Sequence, residues 1–537
     1  MSLQSPHDLG LPLKFRDWRD QQEETIERIA TSSKKLFLLD SPTGTGKSIM
    51  SVAAGKISSK KTLYLCTTKN LQNQLATDFP NAVVLKGRGN YVCAKFPNDF
   101  PRISAAECTK LPKQRKCDIC KYPRQKELNC FLLPKDEPCP CGQDCEYTQT
   151  KKSAISASLA VLNTHLFLVE ANFIGGFSGF PFVVLDEADT LESTLLSFVE
   201  VSITKRQIDK LELELPEKKT VASSWVDWIN NDALPVIEQR LADLKLSSWA
   251  LDNVKETNML TGLRGKFRFA AKEIPNGNWV FMPEEDRWTF KPVFVSKYAE
   301  DNLWKHGDRF LAMSATLINP YQFCRNLGVD VNDTEVITLD SPFPPENRPV
   351  YYVPVANMTH KLGKDEWDKI VSAIDNILNA NPDKKVLVHT VSYVLALHII
   401  QNSKYGASRM IMHKNAMTRN EVLKEFENSG QPLVLLSPSM DRGVDLPGEK
   451  CDIIVIAKMP FLSLGDKQVS ARLYGAKDGN EWYATETVRS IVQASGRAMR
   501  SKDDHCITYI LDSQFGRLYR QNFRLFPKWW LRALHMI

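Results

Sequence analysis

The stretch Phe37 to Ser48, Phe-Leu-Leu-Asp-Ser-Pro-Thr-Gly-Thr-Gly-Lys-Ser, carries the residue types needed to hold a triphosphate. A buried strand, a glycine-bearing loop and the start of a helix present backbone N–H groups and a positive helix end to phosphate oxygens. Thr43, Gly44, Thr45 and Gly46 would form the cradle, Lys47 would reach the terminal phosphates, and the Ser48 hydroxyl would sit on Mg²⁺. Ser41 stands where the first glycine of such loops is usual. A second element is Phe-Val-Val-Leu-Asp-Glu-Ala-Asp at 182–189, an apolar strand delivering two carboxylates to its end. Asp186 would hold Mg²⁺, directly or through water, and Glu187 would polarise the attacking water.

These residues need a scaffold, and a chain of 537 residues exceeds one compact core, so two to four domains are expected. Composition is ordinary for a globular protein, with 43% hydrophobic and 25% charged residues. The net charge of +6 permits a polyanionic partner without requiring one. There is no signal-peptide pattern and no apolar run long enough to span a bilayer, which points to a reducing, soluble compartment. Of twelve cysteines, eight lie between Cys93 and Cys145, and in that compartment such a cluster indicates metal rather than disulfides. Residues 86–152 carry 14 Lys/Arg against 8 Asp/Glu and few aliphatics, so thiolate ligation would hold them together. Cys66, Cys324, Cys451 and Cys506 read as small buried apolar residues.

The remaining elements alternate strand and helix. Phe15 to Ile29 has helical periodicity, and Gln22 could read an adenine edge or simply belong to an amphipathic helix. Thr62 to Gln74 reads as a strand then a helix, with Thr67 and Thr68 as phosphate donors or as caps. Residues 190–310 read as an inserted, mostly helical domain in which Trp225 and Trp228 belong to a core rather than a base-stacking platform. Phe310 to Leu317 is a buried strand ending in Ser314-Ala-Thr316. A second alternating region starts near 335, with strands at Val386–His389, Leu433–Leu436 and Ile453–Ala457. Gln493, Gly496, Arg497 and Arg500 fall at helical spacing, so the arginines could reach a γ-phosphate from one helix face, or form a solvated basic face. The last 22 residues contain five Lys/Arg and no acid, and read as a docked helix or an extension of a nucleic-acid track.

The phosphate loop, Asp-Glu-Ala-Asp, Ser-Ala-Thr and Gln-x-x-Gly-Arg-x-x-Arg, in that order, resemble a superfamily 2 helicase. The cysteine segment narrows the resemblance to the iron–sulfur helicases related to XPD and DinG. Gly87-Arg-Gly-Asn-Tyr-Val-Cys93, Cys145-Glu-Tyr and the stretch 434–461 with Gly443-Val-Asp445 also match that family. The compact size is more like phage or prokaryotic members.

The resemblance implies an α/β chain of two RecA-like parallel-sheet motor domains with an Fe–S insert and a helical arch in the first. Its segments would be 1–89, 147–195 and 306–334 for motor domain 1, 90–146 for the cluster, 196–305 for the arch and 335–537 for motor domain 2. ATP would bind between the motors, with Gly443 and Asp445 at the nucleotide and Gln493, Arg497 and Arg500 on the second wall. Ser314 and Thr316 would couple hydrolysis to movement, usually 5′ to 3′ on single-stranded DNA. The family uses four cysteines for one [4Fe–4S] cluster. Cys93, Cys139, Cys141 and Cys145 match best, leaving Cys108, Cys117, Cys120 and Cys130 as a second site of Zn²⁺ type. Alternatively Cys108, Cys117 or Cys120 joins Cys93 and Cys145 around one cluster. The expected partner is single-stranded or forked DNA, without membrane, for a monomer in the bacterial or phage-infected cytoplasm. The alternatives are an RNA or hybrid unwinder, an ATP-switched clamp that binds without processive unwinding, and a metal-stapled binding protein.

Overall fold

The computed structural model describes residues 3–58, 61–91, 146–246, 251–359, 364–413, 418–438, 446 and 450–537. Two compact units divide the chain: 1–17, 52–311 and 326–329 form one, and 18–51, 312–325 and 330–537 form the other.

Five strands precede the insert: β1 (Leu36–Asp40), β2 (Thr62–Cys66), β3 (Val83–Leu85), β4 (Leu159–Asn163) and β5 (Phe180–Asp186). The insert contributes β6 (Val201–Thr204), β7 (Trp279–Pro283) and β8 (Arg287–Pro292), and β9 (Gly307–Ser314) and β10 (Thr334–Thr338) follow. Seven of these make one sheet in the order β10-β1-β9-β5-β2-β4-β3. Strands β1 and β2 are buried at every position. Such continuous apolar runs mark parallel strands covered on both faces, because crossover helices pack on each side. Thr334–Thr338 pairs with β1, so the first sheet extends past residue 334.

A second sheet is built from β11 (Val350–Ala356), β12 (Val386–His389), β13 (Met410–Met412), β14 (Val434–Ser437), β15 (Ile453–Ile456), β16 (Ile507–Asp512) and β17 (Leu534–Met536). Its order is β13-β14-β12-β15-β16-β11-β17, and every pairing is parallel. Val386 and Val388 face one core, with Ile370 and Ile374 of the helix Lys364–Ala380. Leu387, one residue out of phase, faces another core with Ala498 and Met499. Two parallel-sheet α/β regions are therefore present, as the sequence pattern suggested. The basic C-terminal stretch docks as expected through buried Trp530, and it adds the edge strand β17, which its composition did not announce.

The insert differs from a purely helical one. Strands β6, β8 and β7 form an antiparallel sheet that packs with the helices Ala222–Trp228, Leu234–Leu246 and Leu251–Glu273 around one core. These strands are only four to six residues long. Trp225 and Trp228 lie inside that core, 0% and 4% exposed.

Candidate active site

Strand β1 delivers the phosphate loop to its C-terminal end, where parallel sheets present ligand sites. Ser41, buried at the position where glycine is usual, donates its N–H to the Ser314 carbonyl at 2.9 Å. A serine is tolerated because its backbone faces a strand neighbour rather than needing an unusual φ. Gly44 and Gly46 do need one, with φ of +85° and +86°. A Cβ on Gly44 would lie 2.3 Å from the Phe343 ring, and one on Gly46 would lie 2.4 Å from Gln22 Nε2. Lys47 opens the helix Lys47–Ser58 and donates through Nζ to the carbonyls of Ser41 at 2.9 Å and Pro42 at 3.2 Å. Its ammonium thus sits inside the curve of the loop.

Gln22 is buried against this loop. Its Nε2 donates to Thr45 O at 2.7 Å and its Oε1 accepts from the Arg19 N–H at 2.9 Å. The carboxamide is engaged with the chain here, bracing the cradle. Thr43 lines a small pocket beside the loop together with Phe343, Arg348 and Trp529. Burial pushes Arg348 down to about 10, yet it stays a cation, donating to Phe343 O and Trp529 O and lying over the Trp529 ring.

The acidic pair ends β5. Parallel pairing of Leu65 with Leu185 means that Thr67 and Glu187 leave the sheet side by side. The Thr67 hydroxyl accordingly donates to Glu187 Oε2. Tyr64 OH donates to Asp186 Oδ2 at 2.9 Å, and the Glu187 N–H reaches Asp186 Oδ1 at 2.9 Å. Glu187 has a left-handed backbone, φ 51°, which turns the chain from the strand into a short helical turn. Burial, reinforced by Asp186 and Glu187, pushes the Cys66 thiol up to about 12, so it stays a neutral apolar filler. Thr68 caps the helix Lys69–Asp78 by accepting from Leu71 N. Thr68 thus takes the capping role, and Thr67 is engaged with Glu187 instead.

Thr316 accepts from Gln493 Nε2 at 2.8 Å through its hydroxyl and from Arg489 Nε at 3.1 Å through its carbonyl. Gln493 belongs to the helix Gly479–Ser495. Helical spacing suggested that Arg497 and Arg500 continue one face of that helix, but it ends at Ser495, and the Gly496 N–H closes on Ala494 O and Gln493 O. Gly496 itself sits at φ −94° and ψ 5°, off the helical values, and the chain departs there. Arg497 is half-buried with its carbonyl accepting from Leu446 N at 3.0 Å, and Arg500 is exposed with its N–H on Asp504. Gly443, Asp445 and all eight cysteines from Cys93 to Cys145 lie outside the described residues. Arg489 and the Thr67–Glu187 contact were not singled out by motif spacing. The register of β2 against β5 was the only signal for the contact.

His389 ends β12 on the Arg497 side. Both ring nitrogens lack a hydrogen-bond partner among the described residues. Burial, with the Arg497 charge adding to it, pushes its pKa down to about 3. The native imidazole is therefore neutral where an unfolded one, with its ordinary value near 6.5, takes up a proton. Between those values the unfolded chain binds more protons, so stability falls as pH drops through that window. From pH 7 to pH 5 this one group should cost about 2 kcal/mol. Urea unfolding of the parent and of His389→Asn at both pH values checks it, the variant losing less stability by that amount.

Two families match parts of the chain: the helicase C-terminal domain over residues 374–533, and the type III restriction enzyme res subunit over residues 16–116. The ATP-dependent DNA helicase YoaA of Haemophilus influenzae is 22% identical, over 92% of this chain and 90% of that protein. The ATP-dependent DNA helicase DinG of Photobacterium profundum is 24% identical over 51% of this chain and 42% of that one. Among solved structures, an XPD helicase superposes with a TM-score of 0.65 at 16% identity, covering 98% of this chain and all of the other. The chain is similar in sequence to YoaA and DinG and shares the fold of XPD. The match to YoaA and the XPD fold both run nearly end to end, so the resemblance extends well beyond the motifs. Among the described residues, no helix is long and apolar enough to cross a membrane.

Proposed function

We propose that the chain is an ATP-dependent DNA helicase that moves 5′ to 3′ on single-stranded DNA and opens duplex ahead of it. The observation that carries this reading is the phosphate loop: two positive-φ glycines, Lys47 turned into the curve and a helix starting at that lysine. Lys47 binds the terminal phosphates and Ser48 and Asp186 hold Mg²⁺, a donor set of hydroxyl and carboxylate oxygens suited to a hard cation. Glu187 orients the attacking water, and Thr67, hydrogen-bonded to it, sets its direction. Arg497 and Arg500 stabilise the charge that develops on the transferred phosphoryl group.

In this reading 1–89, 147–195 and 306–334 make the first motor domain, 196–305 an arch-like insert and 335–537 the second motor domain. Residues 90–146 bind a [4Fe–4S] cluster through four of the eight cysteines, with Zn²⁺ for the remainder. Single-strand grip comes from phosphate contacts and base stacking, so binding should weaken with salt and be largely blind to sequence. The chain acts as a monomer on DNA in a bacterial or phage-infected cytoplasm.

Strand displacement on duplexes with a 5′ or a 3′ single-stranded tail tests the function. ATP-dependent opening of the 5′-tailed substrate alone is the expected result. Opening of the 3′-tailed one alone overturns the direction, and DNA-stimulated hydrolysis with no opening makes the protein a clamp. Cys145→Ser should lose the brown chromophore and strand opening while keeping part of the ATPase. An unchanged visible absorption spectrum removes Cys145 from the ligands.

A further inference from the structure

The segment that follows β9 is fastened along the helix Gly479–Ser495 at four successive points. Thr316 meets Gln493 and Arg489. Ile318 packs into the core that contains Val488, Ile491 and Val492. Asn319 Nδ2 donates to Glu481 Oε1 at 2.7 Å, and Arg325 pairs with Asp478 at 3.1 Å and Glu481 at 3.4 Å. A β-branched residue at φ 61°, Ile318, lies in the middle of this attachment, a conformation that persists only where the surroundings hold it.

Arg489 occupies the decisive point. It lies one helical turn before Gln493, so the two side chains leave the same face and meet one residue. Gln493 holds the Thr316 hydroxyl, which can turn about its own bond. Arg489 holds the Thr316 carbonyl, and with it the orientation of the peptide plane. Arg489 is 8% exposed and Thr316 is 2% exposed, so water does not compete for that carbonyl. Glu486, one turn earlier, neutralises the arginine and fixes its rotamer. The same helix leads directly into Arg497 and Arg500.

We propose that Arg489 is a positioning residue that locks the Ser314-Ala-Thr316 backbone to the helix preceding the two arginines. Displacement of that helix is then transmitted to the end of β9, and chemical turnover is converted into movement of the strand. The inference rests on the helicase reading above and adds a residue to it. Loss of the lock leaves nucleotide binding in place and lets hydrolysis proceed with less DNA opened per ATP.

The experiment compares the parent chain with Arg489→Gln, Arg489→Lys and the double variant Glu486→Gln/Arg489→Gln. The double variant removes both charges, so no carboxylate is left without its partner, and thermal unfolding verifies that it folds. DNA-stimulated ATP turnover, KM for ATP and strand opening are measured on one tailed duplex. For Arg489→Gln and the double variant we expect strand opening to fall about tenfold or more, with KM unchanged and ATP turnover within about threefold of the parent. Lysine, which can still donate one bond to the carbonyl, should recover part of the opening. A fall of hydrolysis and opening in the same proportion, or no change in either, overturns the proposal while leaving the helicase function standing. A parent protein without DNA-stimulated hydrolysis overturns that function itself.

Discussion

Replacing Lys47 by alanine is expected to lower ATP turnover by a factor of roughly 10²–10³ or more, the scale for removing one preorganised charge from a transition state. Single-stranded DNA binding should change little. The two effects separate because the loop does not depend on Lys47 alone for its shape. Gln22 holds Thr45 O, Ser41 is tied to the Ser314 carbonyl, and Gly44 and Gly46 retain their positive φ in the variant. What alanine removes is the ammonium that donates to Ser41 O and Pro42 O. Ser41 and Pro42 are buried, so loss of that donor also carries a stability cost, which thermal unfolding reads separately from turnover. Steady-state ATPase with and without single-stranded DNA, with a binding isotherm on the same oligonucleotide, reads both quantities. Turnover at the parent rate would remove Lys47 from the site.

Much of this site was legible in the sequence for a definite reason. Phosphate binding demands backbone N–H groups, a tight loop and a lysine within a few residues, so Thr43 to Ser48 carry their chemistry locally. Asp186 and Glu187 are legible in the same way, as polar residues ending an apolar strand. Contacts between segments distant in the chain are a different matter. Thr67 lies 120 residues from Glu187, and Arg489 lies 173 from Thr316. Those pairs depend on strand order and register, and a lone arginine on a helix has no pattern that names its partner. Helical spacing across Gly496 misled for a related reason. Periodicity continues through a glycine on paper, whereas in the chain the helix ends one residue before it. The insert's three short strands were missed because four to six residues do not outweigh the long helical runs around them.

The insert offers the second large effect. Trp225 is fully buried, with ring centroids of Trp288 at 5.0 Å, Trp228 at 5.4 Å and Phe281 at 6.2 Å. Its indole N–H is satisfied by Lys219 O at 2.9 Å. Trp225→Ala therefore deletes the centre of an aromatic cluster and leaves a backbone carbonyl without its donor. The expected cost is about 3–5 kcal/mol, the range for a buried aromatic replaced by alanine. The strands β6, β7 and β8 are short and rely on this core for cohesion, because a small antiparallel sheet is marginal without a packed face. Hydrogen exchange of their amides should accelerate by roughly 10²–10³-fold or more, which is that free energy expressed as an opening equilibrium. Amides of β1 and β12, whose side chains belong to other cores, should hold their protection. Trp225→Phe keeps an aromatic ring but loses the N–H, so it should fall between the parent and alanine. Acceleration spread equally over all three sheets would mean that the insert has no cooperative core of its own. Acceleration confined to residues 200–292 would make it a unit whose stability can be altered without disturbing the phosphate loop.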